Sequence, residues 1–147
     1  MSEASKWEIV DGLEVPCADI SFNWPSGPGA QLDVLMHFSR VVEGIDADVR
    51  LIFANAMHMA WEDESLGLLD LPDKLPYCLD SEFSDWVFPT LIIKNSPLAT
   101  KYADKAFAAD DPSHAQVRHF VLISMNDLVH VISADMPVVE MVQADAL

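Results

Sequence analysis

The residues able to do chemistry are few, and their spacing decides most of what they could do. Trp61-Glu62-Asp63-Glu64 is the densest acidic cluster in the chain. From Glu43 to Asp85 there are 11 acids against two bases, Arg50 and Lys74, a net of −9 over 43 residues. The calcium loop of helix-loop-helix proteins needs oxygen ligands at alternate positions and a central glycine, and the segment has neither. General acid/base work needs two carboxylates held at working distance, which only folded geometry selects. A solvated acidic rim is therefore the simplest reading of the cluster.

His58 and Glu62 are four apart. On a helix they would stand side by side as metal ligands; on a strand, at roughly 3.3 Å per residue, they would be about 13 Å apart and could not share an ion. His119 and His130 fall on the two arms of an expected hairpin. A two-residue turn at Asn126-Asp127 would place them on one face, several residues out of opposition, and a three-residue turn would separate them. His37 and His114 show no ligand spacing, and there is no His-Glu-x-x-His. Gly-x-Ser-x-Gly is absent, and the loop Pro25-Ser26-Gly27-Pro28-Gly29 lacks the lysine and glycine spacing of a phosphate loop. Cys17 and Cys78 lie 61 positions apart without a Cys-x-x-Cys pairing, which points to reduced, partly buried thiols. The reading thus assigns no catalytic residue, no metal and no cofactor.

The elements that position these residues read mainly as strands. Ile20, Phe22 and Trp24 recur at period two before the proline-glycine loop. Residues 32–42 fit a strand with Val34, Met36, Phe38 and Arg40 on one face, although Leu32, Leu35, Phe38 and Val42 also fit a helical stripe. Beyond a turn-rich connection at Glu43–Asp48, Val49, Leu51, Phe53, Asn55, Met57, Met59 and Trp61 alternate with a second set. Together the two stretches predict a long hairpin, against a helix over Phe53–Glu62. Residues 65–85 carry Gly67, Pro72 and Pro76 with no steady period and read as a long irregular connection.

Pro89 removes a ladder donor, so a strand is expected over Thr90–Lys94 or at an edge. Asn95-Ser96-Pro97 offers a helix cap with proline at the first helical position, and a helix is expected over Leu98–Ala109, ended by Asp110-Asp111-Pro112. His119–Ser124 and Leu128–Ser133 are continuous β-branched runs suited to a central hairpin covered on both faces. Pro137 allows only an edge or an extended tail. The sum is an α+β fold, one domain over residues 1–147, mainly antiparallel sheet with one or two helices.

Composition bounds the function. The 147 residues are 51% apolar, too hydrophobic for a disordered chain, and carry 24 acids against eight bases, a formal charge of −16. That field repels nucleic-acid phosphates and anionic lipid, so neither nucleic acid nor membrane is expected as a partner. No apolar run approaches the roughly 20 residues of a membrane span, and the first residues do not read as a signal peptide, so a cytoplasmic protein is expected.

Trp24, Trp61 and Trp86 each flank a turn-rich or proline-bearing boundary, where a tryptophan either closes the core or anchors an interface. The favoured expectation is a small binding protein, in one form an inhibitor or immunity-type protein for a basic partner. Its surface would comprise Trp61, Glu62, Asp63, Glu64, Asp85 and Trp86. The alternatives are a small hydrolase using carboxylates and histidine, and an oligomeric structural domain.

Overall fold

A computed structural model describes residues 3–7, 17, 19–38, 47–63, 90–124 and 127–143. Among the described residues there are eight strands: β1 (Glu3–Lys6), β2 (Asp19–Asn23), β3 (Ala30–His37), β4 (Ala47–Asp63), β5 (Thr90–Lys94), β6 (Arg118–Ile123), β7 (Asp127–Ser133) and β8 (Val138–Gln143). One helix, α1 (Pro97–Ala106), and a 3-10 turn at His114–Gln116 lie between β5 and β6. The strands form one antiparallel sheet in the order β1-β5-β6-β7-β4-β3-β2, and β8 pairs with β4. The class is α+β, mostly sheet.

The 17-residue β4 organises the sheet. Its second half pairs with β7 and its first half with β8, along the same edge, while β3 runs along the other. Two register shifts interrupt it. Phe53 and Ala56 face Leu32 and Ala30 of β3, and Ala56 and His58 face Ser133 and Ile132 of β7, so an extra residue enters each time. Each insertion turns the alternation over. The core set is therefore Val49, Leu51, Phe53, Ala56 and Met59, and the expected places of Asn55 and Met57 on that face are corrected. Bulges also bend a strand. The bend brings Phe53 edge-on to Phe120 of β6, ring centroids 5.3 Å apart, with Trp7 at 5.1 Å on another side of Phe120. Ahead of β2, the Cys17 amide donates to the Ile123 carbonyl at the end of β6 (3.3 Å). The sheet thus curls around one core, with Leu32, Val34 and Met36 buried on β3 and Phe38 just after it, as the period-two reading requires.

The other face of β4, β7, β6 and β5 is covered by α1. Ser96 caps the helix, its Oγ accepting from the Ala99 amide, and Pro97 takes the first helical position. Such a cap contributes about 1 kcal/mol. The helix ends at Ala106, three residues short of the expected Ala109, because Phe107 turns extended. Its buried residues are Ala99 and Ala103, while Leu98, Tyr102 and Phe107 are half-buried. Small side chains let the helix lie close to the sheet, a face that a search for large apolar residues overlooks. Asn95, just ahead, has φ 54°, a left-handed conformation that asparagine tolerates.

The β5 strand covers the residues expected of it and lies between β1 and β6, not at an edge. The β6–β7 hairpin is buried on both faces, as its continuous apolar arms imply. Following Pro137, β8 pairs among the described residues with β4 alone, and Val138, Val139 and Met141 are exposed. Residues 64–89, with the expected long connection and Cys78, lie outside the described residues, as do the turn at 43–46 and Arg40.

Candidate functional site

Three histidines meet beneath α1. In the β6–β7 register His119 opposes Ile132 and His130 opposes Val121. Ile123 pairs with Leu128, so the two histidines are diagonal neighbours on one face, not several residues apart. Diagonal neighbours are within reach of aromatic side chains. His119 Nε2 and His130 Nδ1 are 2.8 Å apart, and His119 Nδ1 lies 2.8 Å from Ser96 Oγ. A buried hydrogen-bonded chain therefore runs from the helix cap into the sheet. His58, placed on this face by the second bulge of β4, pairs its Nδ1 with the Tyr102 hydroxyl (2.9 Å) and stacks on that ring at 4.8 Å. Lys101 and Lys105 hold their ammonium groups 5.9 and 5.5 Å from the same ring centroid.

Burial determines the chemistry of this cluster. It pushes the His119 imidazolium down to about 3, with the His130 and His58 charges adding to the effect. The His58 imidazolium is also lowered, first by burial, then by His130 and Lys101. A neutral imidazole fits the chain, since each ring can donate with one nitrogen and accept with the other. A base so weakened takes little proton from a hydroxyl at neutral pH. Although Ser96 and His119 have the contact of a nucleophile and its base, the Ser96 oxygen already accepts the cap hydrogen bond. The arrangement reads as a satisfied polar layer between helix and sheet.

Of the expected acidic surface, only part falls among the described residues. Trp61 lies near the end of β4 opposite Val129 and is 54% exposed. Glu62 and Asp63 complete the strand opposite Leu128 and Asp127. Glu64, Asp85 and Trp86 lie outside the described residues. Trp24, by contrast, packs half-buried against the core and donates its indole N–H to the Ala30 carbonyl (3.3 Å). His37 lies 2.9 Å from Ser21 Oγ and 3.4 Å from Asp48, and His114 lies 2.7 Å from Asp104. Cys17 is a buried thiol whose Sγ lies 3.6 Å from the Ile123 carbonyl. Among the described residues no group of three or more His, Cys, Asp or Glu is placed to hold a metal ion, and no helix is long and apolar enough to cross a membrane.

A second concavity escaped sequence reasoning altogether. Between α1, the 3-10 turn and the strands β5 and β6 lies a cleft of about 630 Å³. Lys94, Asn95, Ser96, Thr100, His114 and Arg118 supply its polar lining. The signal available in sequence was local charge: residues 94–118 hold four bases and three acids in a chain of −16. Comparison of the chain with protein-family models, curated proteins and solved structures finds no match.

Proposed function

We propose that the protein is a small cytoplasmic binding protein that engages a basic protein partner through the acidic, tryptophan-bearing end of β4 and the segment that follows it. The exposure of Trp61 carries this reading. A half-exposed indole near the end of a strand whose last residues are Glu62 and Asp63, with Glu64 next in sequence, pairs an aromatic anchor with an acidic rim. Buried aromatic anchors dominate interface energies, and complementary charge steers the encounter. The net of −9 between Glu43 and Asp85 supplies that charge. An inhibitor or immunity-type protein that occludes a basic enzyme, such as a nuclease, is its most concrete form. The hydrolase alternative finds less support, because burial weakens His58 and His119 as bases.

Affinity capture from the native host, at low and then high salt, tests the proposal. A basic protein retained at low salt and released near 1 M, where screening shrinks to about 3 Å, is expected. Recovery of no basic protein under either condition would overturn it.

Self-association has one observation in its favour, the β8 edge. An exposed edge carrying Val138, Val139 and Met141 is a template for another strand. Light scattering distinguishes the cases: pairing through β8 gives a dimer that Val139→Lys converts to monomer, and a wild-type monomer removes this reading.

A further inference from the structure

We propose that the cleft between α1 and strands β5 and β6 binds a small organic anion, an acidic head group carried on an apolar body. The inference goes beyond the partner reading and concerns a different surface, so either can fail without the other.

The cleft's volume, about 630 Å³, lies in the range of small-molecule sites. Its lining is mixed. Ile92, Ile93, Ala99 and Ala103 supply the apolar part. Lys94 and Arg118 line the same cleft, accompanied by the Asn95 and Thr100 side chains. The chain holds 24 acids for eight bases, so carboxylates are plentiful. Arg50 takes Asp33 in a two-pronged pair at 2.8 and 2.6 Å and reaches Glu140 at 3.7 Å. Among the described side chains Lys94, Lys101, Lys105 and Arg118 have no carboxylate partner, and of these Lys94 and Arg118 line the cleft.

Geometry holds one of these cations in place. Arg118 Nη1 donates to the Gln116 carbonyl (3.0 Å), which fixes the guanidinium beside the 3-10 turn and leaves further N–H donors for a ligand. The chain as a whole, at −16, repels anions, whereas residues 94–118, which include both cations, carry a net +1. Carboxylate and phosphate share the required chemistry, an anionic oxygen pair matched to a guanidinium and an ammonium. The apolar part of the lining adds binding for a hydrocarbon body, roughly 0.8 kcal/mol per buried methylene.

Calorimetric titration of the full chain with octanoate, octyl phosphate and neutral octanol tests the assignment, alongside the double variant Lys94→Gln/Arg118→Gln. Both positions line the cleft surface, and circular dichroism establishes that the variant is folded. Either anion should bind wild type at least about tenfold more tightly than octanol, and the double variant should lose at least about tenfold of that affinity, the effect of one charge-assisted hydrogen bond. Binding of only one of the two anions identifies the head group. Absence of binding by both, or equal affinity in the folded double variant, would overturn the proposal.

Discussion

Phe120→Ala should destabilise the protein by about 3–5 kcal/mol, the cost of deleting a fully buried aromatic ring and leaving a cavity. Phe120 has no exposed surface and sits where the curled sheet closes, between Trp7 and Phe53. Its neighbours belong to β4 and to the chain just after β1, elements on opposite sides of β6 in the sheet order, so none can follow the others into the gap without opening the curl. Domains of this size are stable by roughly 5–15 kcal/mol, so much of the total is at stake. Thermal unfolding should show a midpoint lowered by roughly 10–20 °C. Phe22→Ala is the control: that ring is 47% exposed, and its removal should cost under about 1 kcal/mol. Equal losses at the two positions would mean that the core does not close through Phe120.

His119→Ala should cost about 3 kcal/mol, for a different reason. The imidazole is buried and joins Ser96 Oγ to His130 Nδ1, so its removal deprives two buried polar groups of that contact as well as leaving a void. The same residue sets a pH dependence. Folded His119 stays neutral down to about pH 3, whereas in the unfolded chain it takes up a proton near the ordinary value of about 6.5. The unfolded state thus binds the extra proton between those limits, and wild-type stability falls as pH falls through them. One proton changes stability by about 1.4 kcal/mol per pH unit, so acidifying from pH 7 to 5 should cost wild type on the order of 2 kcal/mol. His58 acts in the same direction. In His119→Ala the His119 contribution is gone, so the gap between variant and wild type should narrow with acid. Parallel stability curves would show that His119 titrates alike in the folded and unfolded chains.

The legible parts of this fold were those fixed by local chemistry. Ser96-Pro97 marks a helix start because a hydroxyl cap and a preset φ act within a few residues. The arms of β6 and β7 are readable because a strand covered on both faces needs apolar residues at every position. The less legible parts depend on distant partners. Nothing within Phe53–Met59 announces two bulges; they arise from how β3 and β7 pair with opposite edges of β4, and together they move Asn55 and Met57 off the core face while returning His58 to the face that unbroken alternation gives it. The register of β6 on β7 makes a bonded pair of two histidines that local sequence places several residues apart. Lys94 and Arg118 share a cleft through the pairing of β5 with β6, across 24 positions of sequence.

Trp61 is exposed on the described part of the expected acidic surface, and it is where the binding proposal is most open to test. The direct measurement is affinity for the basic partner captured from the native host, compared between wild type and Trp61→Ala at matched salt. Truncating an anchor tryptophan costs at least about 2 kcal/mol, so the variant should bind at least about 30-fold more weakly while unfolding at the wild-type temperature. Equal affinity in the two proteins would contradict the account.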